Sequence, residues 1–198
     1  MMITVASFKG GVGKTTAAIH IAGYLSQKGK TLLVDGDPNR SCVDWAQFGK
    51  LPFTVIDETK ILAETSLGFD HLVVDTKARP DKKDLKVLAE GCDLLVVPTT
   101  PDALSLQATL KLLQAVQGYE NVNLKLLLTI VPPPPSHDGY DAKEVLEAND
   151  MSVFKTQIRR YIAYRKAPLQ GVLVSDTKDP RAKDAWNDYQ ELGKEILP

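Results

Sequence analysis

The sequence predicts an α/β fold: a doubly wound, mostly parallel sheet with helices on both faces. Three observations carry this expectation. Aliphatic runs begin near residues 3, 31, 71, 94 and 124 and alternate with stretches of helical composition, a spacing that implies a parallel sheet with right-handed crossovers. The first run leads directly into a glycine-broken loop. Two later runs close on aspartate, at Asp35 and Asp75, and open α/β sheets bind their ligands at the carboxyl ends of strands.

The first element, Ile3 to Phe8, precedes Lys9-Gly-Gly-Val-Gly-Lys-Thr-Thr16, and Thr15 to Leu25 has the composition of a helix. Gly10, Gly11 and Gly13 have no Cβ. The loop, with Val12 within it, can therefore turn its N–H groups toward an anion at the helix N-terminus. In such a phosphate-binding loop Lys14 reaches the β- and γ-phosphates, Thr15 offers its hydroxyl to Mg²⁺, and Thr16 is a further candidate for nucleotide binding. The string departs from the usual G-x-x-x-x-G-K-[ST], because Phe8 replaces the first glycine and a second lysine, Lys9, precedes the glycines.

This K-G-G-x-G-K-[TS] form resembles the deviant Walker A motif of the ParA/MinD family of P-loop ATPases. The resemblance implies that Lys9 crosses a dimer interface to the nucleotide of the other subunit, and so an ATP-sandwich homodimer. The alternative, a common glycine loop beside a solvated lysine, fits poorly with an octet that directly follows a buried strand.

Composition bounds the rest. The 198 residues, 43% hydrophobic and 25% charged, suit one compact domain spanning 1–198. A net charge of -1 leaves any attraction to nucleic acid to a local patch. Cys42 and Cys92 lack C-x-x-C spacing, which argues for a reducing compartment and against disulfides or a zinc site. No run of about 18 apolar residues occurs and the first strand starts at once, so no membrane span, signal peptide or separate N-terminal domain is expected.

Along the chain, Gly29 closes the first helix and Thr31 to Val34 forms the second strand, ending in Asp35-Gly-Asp37-Pro-Asn-Arg-Ser41. This segment is similar to switch I of ParA proteins, with Asn39 where glutamine is usual. The similarity implies that Asp35 helps organise Mg²⁺ and its waters and that Asp37 positions or activates the attacking water; otherwise these are capping residues before an Asp-Pro turn. Ser41 to Lys50 reads as a short helix, with Trp45 and Phe48 for core or interface packing. Phe53 to Ile56 is expected as an edge strand and Lys60 to Ser66 as a short helix.

His71 to Asp75 is a strand buried on both faces, and Asp75 has the form of a Walker B carboxylate holding Mg²⁺ through water. The next residues resemble switch II, with Lys77 and Arg79 as either interface contacts or solvated loop charges. His20 and His71 have no evident partner. Asp81 to Glu90 suits a helix and Asp93 to Pro98 a buried strand. Pro101 then opens a helix over 102–117, with Thr100 as its N-cap. After the strand Leu124 to Ile130, Pro132 to Pro135 must turn the chain out of the sheet. The resemblance makes Val131, Pro132 and Pro133 candidates for contact with the adenine base; a stiff linker is the other reading.

Between Met151 and Gln170 lie Lys155, Arg159, Arg160, Arg165 and Lys166 with no acidic residue among them. Such a cluster, interleaved with Tyr161 and Tyr164, either follows a phosphate backbone or is a solvated face. Ile158 to Pro168, followed by Gly171, resembles the ParA segment that binds DNA non-specifically in the ATP dimer, which implies a DNA role for these five cations. The last helix, Arg181 to Leu197, is amphipathic through Trp186, Tyr189, Leu192, Ile196 and Leu197. Its mixed-charge polar face does not suit anionic lipid, so it is expected to pack on the sheet.

The resemblance covers nearly the whole chain and is nearest to small ParA proteins without an N-terminal helix-turn-helix, which include plasmid-partition and carboxysome-spacing members. It implies a cycle in which ATP and Mg²⁺ drive dimerisation, the dimer holds nucleoid DNA in the cytoplasm, and a ParB-like or McdB-like cargo adaptor stimulates slow hydrolysis. Three readings compete. A MinD-like membrane ATPase would need a basic amphipathic tail, and an ATP-dependent amide-forming synthetase would not need the basic cluster. An iron–sulfur reductase would need cysteine where Ala78 stands.

Overall fold

In a computed structural model the described residues are 1–61, 68–78, 80–114 and 123–197. The aliphatic runs form β1 (Met2–Val5), β2 (Thr31–Gly36), β3 (Thr54–Asp57), β4 (His71–Thr76), β5 (Leu94–Thr99) and β6 (Leu124–Leu128). All pair in parallel, in the order β3-β2-β4-β1-β5-β6. The 53–56 run thus lies at a sheet edge, as expected from its weaker apolar pattern. From β1 the chain crosses first to the β2 side and only later to β5, so the order reverses beside β1, where the glycine loop emerges. Register places Val5 opposite Asp75 and Asp75 opposite Asp35. Both carboxylates therefore stand at the sheet's carboxyl edge next to that loop.

The helices are α1 (Lys14–Leu25), α2 (Ser41–Ala46), α3 (Lys82–Glu90), α4 (Ala103–Gln114), α5 (Asp138–Glu147), α6 (Ala163–Gln170) and α7 (Ala182–Ile196), with 3₁₀ turns at Glu58–Lys60 and Val174–Asp176. Each sheet face has its own core. One joins Ile3, Val5, Leu33 and Val73 to α1, α2, α6 and α7. The other joins Leu95, Val97, Leu126 and Leu128 to Leu85, Leu106, Leu113 and Leu146 of α3, α4 and α5.

α1 is buried nearly all round, the condition of a helix covered on both sides. Its outer cover is α7. The expectation that the last helix packs on the sheet is therefore corrected: Tyr189 and Leu192 join the core around α1, and a Cβ on Gly193 would overlap the Tyr24 ring.

Other local expectations also shift. The N-cap of α4 is Asp102 rather than Thr100: its carboxylate accepts from Ser105 N–H at 3.0 Å and its carbonyl from Leu106 N–H at 3.0 Å. A carboxylate outcompetes a hydroxyl for a helix N-terminus, and the Thr100 hydroxyl instead donates to Asp102. Trp45 is buried and its indole N–H donates to the Val172 carbonyl at 3.0 Å, whereas Phe48 remains 50% exposed against Gly171. Both cysteines are free. Arg79, most of the 60–66 segment and the end of the 102–117 helix lie outside the described residues.

Candidate functional site

The loop leaves the carboxyl end of β1 with Gly11 at φ 80° and Gly13 at φ 82°, left-handed values that glycine adopts without strain. A Cβ at Gly10 or Gly11 would meet nothing within 4 Å, so the concave side of the loop is open. Gly13 caps α1 without any side-chain hydrogen bond, leaving first-turn N–H groups directed at that opening, as an anion site requires.

Behind the loop lies a buried charge cluster. Lys14, only 7% exposed, donates from Nζ to Asp75 Oδ1 at 2.7 Å and to Asp37 Oδ2 at 3.1 Å. The Thr15 hydroxyl donates to Asp75 Oδ2 at 2.8 Å and the Cys42 thiol to the same oxygen at 3.3 Å. Burial works against the Lys14 charge, yet Asp75 and Asp37 hold its pKa above the ordinary value. Burial raises the Asp75 carboxyl despite Lys14. These two directions oppose each other; with Thr15 and Cys42 also donating to Asp75, the charged pair is the form the contacts favour.

Asp37 and Asp35 are held differently. Burial pushes Asp37 upward, but the Asn39 N–H and the Lys14 ammonium outweigh it and keep the carboxyl low. Asn39 bonds Asp37 Oδ1 through both its backbone N–H, at 3.0 Å, and its side-chain amide, at 2.9 Å. Asp35 accepts from the N–H groups of Asp37, Cys42 and Val43 at 3.1, 2.8 and 3.1 Å, so it shapes the turn that carries Asp37. Asp35, Cys42 and Asp75 each place a ligand atom within 4.8 Å of the others. The hydroxyl and carboxylate oxygens of Thr15 and Asp75 suit a hard cation such as Mg²⁺, which the softer thiol does not. The open glycine cradle beside them suits the phosphates of a nucleotide.

Lys9 points elsewhere. It is partly exposed and donates to Asp102 Oδ1 at 3.2 Å and Ser105 Oγ at 2.9 Å on its own α4.

A cleft of about 580 Å³ opens over the loop, lined by Gly10, Gly11, Gly13 to Thr16, Asp37 and Asn39 on one side and by Ile130, Ile158 to Tyr161, Tyr164 and Arg165 on the other. Pro132 and Pro133, the sequence's candidates for base contact, do not line it. Val131 is buried and ties down the far wall: its N–H donates to the Ile158 carbonyl and its carbonyl accepts from Arg160 N–H. The five basic candidates separate. Arg159 is clamped by Asp188, with Nη2 2.6 Å from Oδ1 and its own backbone N–H 3.0 Å from Oδ2. Lys166 pairs with Asp179 at 2.7 Å. Lys155 is exposed and its backbone N–H donates to Glu195. Arg160 and Arg165 are exposed on the wall of the cleft, with no acidic partner among the described residues.

A family model of the CobQ/CobB/MinD/ParA nucleotide-binding domain matches residues 3–174. The chain belongs to this family. Members of the ParA/MinD family are ATPases, and the matched span contains every residue of the loop and the buried cluster. A relative from Gloeobacter kilaueensis, maintenance of carboxysome distribution protein A, is 32% identical and aligns with 98% of this chain and 93% of its own length. Among solved structures, apo McdA from Cyanothece superposes with a TM-score of 0.76 at 18% identity, covering 100% of this chain and 99% of that one. A Borrelia burgdorferi plasmid-partition protein bound to AMPPNP superposes at 0.71 with 19% identity, covering 99% of each chain.

For this ParA/MinD-family chain, sequence reasoning missed Asn39 as the brace of Asp37, Cys42 behind Asp75, and Asp102 with Ser105 as partners of Lys9. It also left His20 without a partner. In the structure the His20 Nε2 accepts from Val174 N–H at 3.0 Å, which leaves Nδ1–H to donate to the Thr16 carbonyl at 2.7 Å, and the ring stacks on Tyr189. Only the proximity of Asn39 to Asp37 was available as a local signal. Apart from the contact of His20 with Thr16 one turn earlier in α1, the other contacts join residues far apart in sequence. Among the described residues no helix is long and apolar enough to cross a membrane.

Proposed function

We propose that this chain, acting as one domain over 1–198, is an ATP-driven positioning ATPase that moves a cargo over nucleoid DNA in the cytoplasm. ATP would lie on Gly10 to Thr16, with Thr15, Asp35 and Asp75 holding Mg²⁺ and its waters. Lys14 would leave Asp75 and Asp37 for the nucleotide's phosphates, and Asp37, freed from Lys14 yet still braced by Asn39, would position the attacking water. Mg²⁺ would neutralise phosphate charge at this place. Lys9 would reach the nucleotide of a second copy, so ATP would favour the dimer and hydrolysis would remove that bias. The dimer would hold DNA through Lys155, Arg159, Arg160, Arg165 and Lys166, and a ParB-like or McdB-like adaptor on the cargo would stimulate slow hydrolysis.

The observation that carries this reading is the pair of lysines on one glycine loop, Lys14 buried among carboxylates and Lys9 on the surface. A carboxysome is the preferred cargo because of the Gloeobacter kilaueensis relative's name and the extent of its match. The test is binding to a non-specific DNA duplex without nucleotide, with ADP and with ATP plus Mg²⁺, at two salt concentrations, while molecular mass is followed. Binding that requires ATP, accompanies a doubling of mass and weakens with salt is the expected result. Absence of DNA binding in every state would overturn the DNA arm and turn attention to an ATP-dependent synthetase.

A further inference from the structure

We infer that Arg40 is a positioning residue for hydrolysis, a staple that fastens the turn carrying Asp37 to the edge strand β3. This rests on the reading of Asp37 as the group that positions the attacking water. Arg40 stands at φ 53° and ψ 33°, a left-handed conformation that is unfavourable for arginine and open to glycine. Surrounding contacts hold it there. Its N–H donates to the Asp37 carbonyl at 2.9 Å, and its own carbonyl accepts from Asp44 N–H at 2.9 Å, which opens α2. Its side chain spreads over three acceptors: Nη1 donates to the Asp35 carbonyl at 2.7 Å, Nε lies 2.6 Å from Asp57 Oδ2, and Nη2 donates to Glu58 Oε1 at 3.2 Å.

The acidic acceptor on β3 is fixed independently of Arg40. β3 pairs with β2 in a register that sets Asp57 opposite Asp35, and the Thr59 N–H and hydroxyl, each at 2.8 Å, hold Asp57 Oδ1. Oδ2 is left for the guanidinium. Arginine's planar fork meets several oxygens at set angles, whereas a lysine ammonium is a point charge on a flexible stem. The side chain of Arg40 thus ties the turn to β3 while its backbone closes the turn on Asp37, and Asn39 between them orients the Asp37 carboxylate. Asp37 and Asn39 line the cleft and Arg40 does not, so Arg40 acts through Asp37 rather than on the nucleotide. Misplacing a reacting group by about 1 Å costs up to about 10²-fold in rate, and loss of one partly exposed staple should cost about tenfold.

The test compares the parent with Arg40→Gly, which keeps the left-handed backbone and removes the staple, with Arg40→Lys, with Asp57→Asn, in which asparagine can still accept from Thr59, and with Arg40→Gly/Asp57→Asn. Phosphate release is measured against ATP concentration with Mg²⁺ in excess, ATP affinity by calorimetry, amide hydrogen exchange over residues 36–43 by mass spectrometry, and stability by urea unfolding. For Arg40→Gly the staple predicts a kcat about tenfold lower with KM and ATP affinity within about twofold of the parent, faster exchange over 36–43, and a urea midpoint near the parent's. Arg40→Lys and Asp57→Asn should also lower kcat at unchanged KM, and the double variant should be no slower than Arg40→Gly alone. Parent-like turnover by Arg40→Gly overturns the staple. So does a fall in ATP affinity or in urea midpoint that matches the fall in rate, because Arg40 would then serve nucleotide binding or the fold at large. Normal turnover by Asp37→Ala overturns the reading of Asp37 itself, a separate outcome.

Discussion

Asp37 stands between two partners of opposite purpose. Lys14 neutralises one of its oxygens and Asn39 directs the other through two hydrogen bonds, so loss of Lys14 to a phosphate would leave a carboxylate that is charged and still oriented. A general base or water-positioning group contributes about 10²- to 10⁴-fold. Asp37→Ala should therefore lower phosphate release at least 100-fold while nucleotide affinity and ATP-dependent mass doubling persist; normal turnover would remove Asp37 from the chemistry. His20 carries a different prediction. Complete burial drives its pKa down to about 4, below the value of about 6.5 in an unfolded chain. The unfolded state thus binds the proton first, so stability is full above pH 6.5 and falls as pH drops toward 4, by about 2 kcal/mol at pH 5. Urea unfolding at pH 7.5 and pH 5 checks this: His20→Gln should be less stable at pH 7.5 but lose less on acidification, and an equal loss in both proteins would assign the pH dependence to other groups.

At the scale of elements, α1 is the hub, pressed by the sheet on one side and by α7 on the other. Gly193 permits this approach, since a Cβ there would overlap Tyr24. Gly193→Ala should cost about 1–3 kcal/mol as an overpacked contact, read as a lower urea midpoint at unchanged m-value; a midpoint equal to the parent's would mean that Tyr24 moves aside freely. The order of elements was legible because β2, β4 and β5 each contain an unbroken aliphatic run, β1 and β6 are interrupted by a single residue, and the loop sits after the first strand. What escaped was contact between distant elements. Asp188 reads as part of a polar helical face, yet it is 5% exposed because Arg159, 29 residues earlier, turns inward to it. The Pro132–Pro135 run correctly signalled a departure from the sheet but not its direction. The wall of the cleft is built instead by Ile158 to Arg165, which the Val131 backbone pins in place. Pairing of this kind depends on register between elements, which local composition does not encode.

Over the whole molecule, a net charge of -1 means that any DNA affinity must come from a few placed cations, and only some of the basic segment is available. Arg159 and Lys166 each hold a buried or nearly buried carboxylate. Charge reversal there would bring two acids together and disturb folding, so it would not isolate a binding effect. Arg160 and Arg165 are free of that confusion. They also share the cleft with the glycine loop, which would couple the nucleotide state to the basic surface through one opening. Arg160→Glu with Arg165→Glu should abolish DNA binding while ATP-dependent mass doubling remains. Conversion of the same pair to glutamine, which weakens binding without repulsion, should reduce the slope of log affinity against log salt by about 3 to 4, since a dimer contributes two such cations from each protomer and each phosphate contact counts for about 0.9. If DNA affinity survives and nucleotide affinity falls instead, these arginines belong to the nucleotide. The DNA surface would then have to be sought around Lys155, on the part of the segment that lies outside the cleft.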